Sequence, residues 1–215
     1  MAIPGAAVRR FDAWAPYYDE SQLRPAYDAA HRAVLHLVTR VGMRPRRVLD
    51  VGCGTARLPR AVADRFPDAA VIGLDPSGPM LSVASEDRRL GLLRGAAETL
   101  PFADDCFDLV VSTAAFRHWS DPAGAMTEIA RVMAPDGLLA MADLFATERG
   151  GLIPIWSRRP GPPATLRAAV DAAGLVMIRA EVVAGFGPVP AVTAVAARAA
   201  TRRRVRTWGV ALRGR

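Results

Sequence analysis

Two acids and a pair of glycines are the residues of this chain best suited to do chemistry. In VLDVGCGTARLP, residues 48–59, an apolar run ends at Asp50, and Gly52 and Gly54 follow one residue apart. Asp75 closes a second apolar run, AVIGLD. Glycines let backbone approach a ligand closely, and a helix that follows them offers N–H groups with no partner inside the helix. Three readings compete. A dinucleotide site wants a third glycine at position 57, where Arg57 stands, and Asp50 would repel a pyrophosphate. S-adenosylmethionine has no phosphate; it carries an ammonium, a sulfonium and one carboxylate. Asp50 suits the positive groups and helix N–H groups suit the carboxylate. Asp75, near the spacing at which a second-strand acid reaches a ribose, has two oxygens to accept its hydroxyls. Met80 or Leu100 would supply an apolar wall for the adenine. In the third reading the glycines only turn the chain.

Other reactive residue types are sparse. His118 follows an apolar strand pattern and is the one histidine expected near the glycine loop. A histidine with a near-neutral pKa accepts a phenol proton; the alternative is that it packs or hydrogen-bonds there. His31 and His36 lie in a helical pattern and read as ordinary helix residues. Cys53, between glycines, reads as a small apolar side chain rather than a nucleophile. With Cys106 it makes no metal-ligand spacing and no disulfide framework.

The elements that must position these residues alternate. Residues 8–41 read as helical, with Ala30, Val34, Leu37 and Val38 on one stripe. RVLDVG, AVIGLD, LGLLRG, FDLVVST and GLLAMADLF read as five strands. Between them RLPRAVADRF reads as a helix. A second helix starts at Ser77 and Pro79 and runs to about Arg89. A third opens at Asp121 and Pro122 and closes before Pro135. AAETLPFADDC is too short and polar for a good helix. TLRAAVDAAG is a helix capped by Gly174, and LVMIRAEVV and AVTAVAARA are strands joined by a hairpin through AGFGPVP. This order predicts an α/β fold: an open, mostly parallel seven-stranded sheet, helices on both faces, and a C-terminal antiparallel hairpin strand. Asp50, Asp75, Ala97 and Ser112 all fall at or just past carboxyl ends of strands, where such sheets bind ligands.

The chain has 215 residues, enough for one domain with a sizeable core. Its formal charge of +7 is uneven. Every basic side chain is arginine, and no acid lies beyond Glu181. A basic tail, residues 199–215, follows a neutral body. It reads as a solvated segment, with contact to nucleic acid or a membrane surface as the alternative, Trp208 suiting an interface. No apolar run approaches the ~20 residues that span a bilayer, and MAIPGAAVRRF lacks the layout of a signal peptide, so a cytoplasmic protein is expected. Residues 1–45 are expected to form a helical lid and 46–198 the ligand-binding core. Phe11, Trp14, Tyr17 and Tyr18 are either helix packing or part of that lid. ATERGGLIPIWSRRPGPP, residues 146–163, reads as a loop whose Ile153, Ile155 and Trp156 would make an apolar lip, with Arg158 and Arg159 toward an acidic group.

Five blocks in order resemble the class I S-adenosylmethionine-dependent methyltransferases, the small-molecule branch with the ubiquinone and menaquinone C-methyltransferases above all. They are FDAWAPYYDE, VLDVGCGTARLP, GLDPSGPML, GAAETLPFADDCFDLVVST and HWSDPAGAMTEIARVMAPDGLLAMAD, covering about residues 10–198. The resemblance implies a Rossmann-like fold and S-adenosylmethionine as cofactor. It implies that Gly52, Cys53, Gly54 and Thr55 line the methionine part with Asp50 near its ammonium, and that Asp75 takes the ribose. Pro76 and Met80 would meet the adenine edge, Ala97 and Glu98 border the adenine, and Ser112 and Thr113 lie beneath the sulfonium. Tyr18 matches a tyrosine that closes over the cofactor. Ala96 departs from the pattern where the family has an acid for the adenine amino group, and Arg117 replaces a frequent histidine beside His118. The acceptor implied is a small molecule such as a quinone, a phenol or another secondary metabolite. An RNA or protein methyltransferase recruited by the arginine tail, and a non-catalytic scaffold of the same fold, remain alternatives.

Overall fold

The structure, a computed structural model, describes residues 5–144, 164–183 and 192–199. The chain opens with α1 (Gly5–Trp14), a short 3-10 helix (Ala15–Glu20) and α2 (Arg24–Arg40). Then follow β1 (Arg47–Val51), α3 (Arg57–Arg65), β2 (Ala70–Asp75), α4 (Gly78–Ala84) and β3 (Leu90–Arg94). After these come β4 (Phe107–Thr113), α5 (Pro122–Val132), β5 (Met133–Leu144), α6 (Ala164–Ala172), β6 (Leu175–Val183) and β7 (Val192–Ala199). The seven strands form one sheet in the order β3-β2-β1-β4-β5-β7-β6. All neighbours are parallel except β7, which runs antiparallel between β5 and β6. The predicted fold class is the observed one.

Side-chain alternation along the central strands explains why both faces are covered. Val48 of β1, Leu109 and Val111 of β4, and Leu138 and Ala140 of β5 face one layer, with Val34, Leu37 and Val38 of α2 and Leu58 and Val62 of α3. Leu49, Val110, Leu139 and Met141 face the other, with Met126 and Ile129 of α5 and Leu166 and Val170 of α6. A period of two through fully buried strands leaves no polar face, which is what a parallel sheet requires.

Two expectations change in detail. The helical stretch 8–41 is broken at Ala15–Glu20, where Pro16 starts the 3-10 helix, and again before Pro25. The helix from Ser77 ends at Ala84 rather than near Arg89, because Asp87 draws the Arg89 N–H and guanidinium into a local turn. As the short, polar AAETLPFADDC predicts, no helix joins β3 to β4; residues 95–106 are an irregular connector that starts beside the end of β2, where the Gly95 N–H donates to the Asp75 carbonyl.

The loop 146–163 with its apolar lip and arginines, the hairpin connector 184–190 and the basic tail lie outside the described residues. Among the described residues no helix is long and apolar enough to cross a membrane, and no cluster of His, Cys, Asp and Glu is arranged to hold a metal ion.

Candidate active site

Strand order reverses between β1 and β4: the chain lays down β2 and β3 on one side of β1, then returns to place β4 on the other. Such a reversal opens a crevice at the carboxyl edge of the sheet. A cleft occupies that edge.

The glycine loop forms its floor. Gly52, Gly54 and Ala56 all adopt left-handed backbone conformations, at φ of 81°, 54° and 62°. At Gly52 the conformation is only half the reason for glycine. A Cβ there would sit 2.5 Å from the Cβ of Ala115, in the turn after β4. The loop after β1 and the turn after β4 therefore touch across the crevice, and only a residue without a side chain fits between them. Ser112 draws the same two strand ends together by donating to the Val51 carbonyl at 2.7 Å.

The two acids occupy neighbouring strand ends but differ in what they bind. Asp75 Oδ2 accepts the Gly54 N–H at 2.9 Å and Oδ1 accepts the Ser77 N–H at 2.8 Å. Burial pushes its carboxyl up, and those two amides pull against the shift. Asp50 is 1% exposed, and its Oδ1 finds no donor among the described residues. Burial, and then the charge of Asp75, hold the Asp50 carboxyl well above the usual range. A carboxylate so enclosed is costly unless a positive group meets it.

Ten of the residues expected at the site line the cleft: Tyr18, Gly52, Gly54, Asp75, Pro76, Met80, Ala97, Glu98, Thr113 and His118. Four do not. Asp50 lies beneath the floor. Cys53 is turned toward Gly73, where an added Cβ would meet its sulfur at 2.7 Å. Thr55 Oγ1 donates to Asp19 at 2.8 Å, and the Ser112 hydroxyl is committed to Val51. Leu100, expected as an adenine wall, is buried in the layer beside α5, its N–H donating to Glu128. Burial, then the nearby Asp50 and Asp75, push the Cys53 thiol up, which keeps it protonated and inert.

Glu98 is tied to the start of α5: its Oε1 accepts from the N–H and hydroxyl of Ser120 and from the Asp121 N–H. Burial would raise its carboxyl, but these bonds together hold it below the usual range. His118 stands opposite. Its Nε2 is buried without a partner among the described residues, and its ring meets Phe11 edge to face at 5.0 Å. Burial, and then the charge of Arg117, lower its pKa below the ordinary 6.5, so the imidazole is neutral at neutral pH. Arg117, placed beside it, is tied by an ion pair to the buried Asp143 of β5.

Residues of α1 and the 3-10 helix roof the cleft. Val8 and Phe11 of α1 and Tyr18 of the 3-10 helix line it. Tyr18 stacks on Tyr27 at 5.4 Å and meets Trp14 edge to face at 5.0 Å. Burial, then Tyr27, keep its phenol well above the usual range. By contrast α2 packs on the sheet, so among the described residues of the expected lid, 5–45, only α1 and the 3-10 helix stand over the cleft. Sequence reasoning missed Ser77 as a lining residue, reading it only as the helix cap it also is, and missed Ala114, Ala115 and Trp119. Position directly after a central strand was the signal available for Ala114 and Ala115.

Residues 49–141 match the family model described as a methyltransferase domain. Over 125 residues the chain is 39% identical to the malonyl-[acyl-carrier protein] O-methyltransferase of Geobacter sulfurreducens, across 54% of this chain and 47% of that protein. Over 111 residues it is 37% identical to the demethylmenaquinone methyltransferase of Thermus thermophilus, across 49% and 50%. The chain thus spans about half the length of these curated relatives. Among solved structures it resembles the 1,6-didemethyltoxoflavin-N1-methyltransferase of Burkholderia thailandensis, solved with 1,6-didemethyltoxoflavin and S-adenosylhomocysteine bound. The TM-score is 0.68 over 93% of this chain and 91% of that one, and at 19% identity this likeness speaks for the fold. Residues 49–141 thus match a methyltransferase domain in sequence, and the seven-stranded sheet has the Rossmann-like topology of methyltransferases of known structure.

Proposed function

We propose that this protein transfers a methyl group from S-adenosylmethionine to a small-molecule acceptor. The observation that carries the reading is the buried, unpartnered oxygen of Asp50 beneath a glycine loop, one strand away from Asp75. That arrangement selects a ligand with positive charge and hydroxyl groups and rejects one with phosphates. S-adenosylmethionine, when bound, supplies an electrophilic methyl on a positively charged sulfur.

The chain's own residues then have distinct tasks. Asp50 faces the ammonium side. Gly52, Cys53, Gly54 and Thr55 offer backbone to the methionine part, since the side chains of Cys53 and Thr55 point elsewhere. Asp75 keeps a free lone pair on each oxygen after its two amide bonds, enough for two ribose hydroxyls. Pro76, Met80, Ala97 and Glu98 border the adenine, and Ala96 offers its amino group no carboxylate. Thr113 lies under the reacting sulfur, on a strand end that Ser112 pins. Tyr18, with α1, excludes water.

Phe11, His118 and Trp119 make the acceptor side apolar, with one neutral imidazole nitrogen available to take a proton. This suits a quinol, a phenol or a similar secondary metabolite. Most of the work is alignment of acceptor, methyl and sulfur, worth up to ~7–11 kcal/mol in ideal intramolecular cases. The demethylmenaquinone methyltransferase relative supports a small acceptor. Titration calorimetry with S-adenosylmethionine tests the reading at its root. Saturable binding that weakens in Asp75→Asn is expected; no heat of binding overturns it.

A further inference from the structure

The roof of the cleft is fastened at two points, and both fastenings end on loops that the same carboxylate joins. The Thr55 hydroxyl, 2% exposed, donates to Asp19 Oδ1 at 2.8 Å. The Ser77 hydroxyl, 1% exposed, donates to Asp12 Oδ1 at 2.6 Å. Ser77 Oγ also accepts the Met80 N–H at 3.2 Å as the cap of α4, so its single proton is left for Asp12. Thr55 follows Gly54, and the N–H groups of Gly54 and Ser77 are the two held by Asp75. Arg57, ion-paired to Asp28 and 3.9 Å from Asp19, steadies the first fastening from below.

We propose that Asp12 and Asp19 are positioning residues that couple closure of the lid, residues 5–20, to occupancy of the cofactor cleft. Each grips the hydroxyl of one of the two loops that Asp75 staples together. The proposal rests on the reading of the cleft as a cofactor site. A ligand whose hydroxyls engage Asp75 orders the loops after β1 and β2, and these carry the Thr55 and Ser77 hydroxyls. The lid in turn lays Val8, Phe11 and Tyr18 along the cleft. Coupling of this kind is reciprocal: the factor by which the ligand tightens the lid is the factor by which the lid tightens the ligand. Two charge-assisted bonds with buried hydroxyls are strong enough to matter and local enough to break separately.

The test uses the full chain with S-adenosylhomocysteine as the probe. Two quantities are read: the probe's dissociation rate, and the rate of tryptic cleavage after the exposed Arg9 and Arg10 with and without saturating probe. Asp12→Ala and Asp19→Ala should each speed dissociation about tenfold, the effect of losing one hydrogen bond to a charged group. Asp12→Asn and Asp19→Asn, which still accept, should recover part of it, and they serve where an alanine variant fails to fold. Asp19→Ala and Thr55→Val together should be no worse than the larger single effect. The probe should protect the lid from trypsin in the wild type and fail to do so in Asp12→Ala/Asp19→Ala. If the variants bind the probe and release it at the wild-type rate, or if the probe leaves wild-type cleavage unchanged, the coupling is wrong while the cofactor reading stands. If the wild type binds no probe at all, both fall.

Discussion

The floor of the cleft and its outer wall are built by different physics. The floor is strand ends, left-handed glycines and carboxylates taking backbone amides, nearly all of it buried. The wall is α1, the 3-10 helix and the turn after β4; Asp12 and Asp19 fasten the first two to the floor, but the surface they present is built of ring contacts: Phe11 on His118, Trp14 on Tyr18, Phe116 on Trp119. Floor interactions are directional, and losing one partner strands the other in a dry site. Ring contacts are worth about 0.5–1.5 kcal/mol each beyond their area and tolerate rearrangement. The floor therefore fixes one pattern of charge and hydroxyls, whereas the wall can change to fit a different acceptor at low cost.

Gly52→Ala breaks that comparison hardest. It combines a left-handed side chain, ~1–2 kcal/mol, with a clash against Ala115 worth another ~1–3. Denaturant unfolding should show a loss of about 2–5 kcal/mol, and binding of S-adenosylhomocysteine should disappear. Adding Ala115→Gly should restore only the steric share, since the backbone strain remains; full recovery would mean that the left-handed conformation is not needed.

His118→Gln probes the wall. Turnover should fall about a hundredfold if the imidazole takes the acceptor's proton, with the affinity for S-adenosylhomocysteine unchanged. In the wild type, turnover should rise with pH through a midpoint below 6.5 and then level off, because burial favours the neutral, proton-accepting ring. A loss of cofactor affinity instead of turnover would move His118 from wall to floor.

Asp50→Asn sharpens the contrast within the floor itself. Removing the charge while keeping the shape should weaken S-adenosylmethionine roughly tenfold to a hundredfold. The ligand-free protein should respond in the opposite sense. Because the folded Asp50 holds its proton above the ordinary value of 3.8, the folded chain binds a proton that the unfolded chain releases. The Asp50 contribution to stability therefore falls as pH rises from about 4 toward neutral, and Asp50→Asn should remove that contribution from the slope. Urea melts across this range would read it; an unchanged slope would show that Asp50 is satisfied in the folded protein after all.

Much of the floor was legible because its signals are local. Asp50 and the glycines lie within five residues, β2 ends at Asp75 as its apolar run does, and Ser77 and Asp121 cap α4 and α5 by accepting the N–H three residues on. The wall was less legible. The break at Ala15–Glu20 follows from Pro16, yet whether the aromatics there packed or capped a cleft depended on contacts with distant loops. Leu100 and Met80 looked equivalent as apolar neighbours, but the irregular connector 95–106 buries one and presents the other's surroundings to the cleft.

The sequence by itself determined the strand and helix order, the parallel sheet with its closing antiparallel strand, and the charge pattern at the carboxyl edge. Periodicity, caps and glycine placement act over a few residues, so they survive without knowledge of the fold. Only the tertiary structure decided that Gly52 meets Ala115, that Ser77 and Thr55 reach back to Asp12 and Asp19, and that Asp50 goes unpartnered. Those facts join residues 36 to 65 positions apart or depend on complete burial, and no local pattern encodes which distant group will fill a given space.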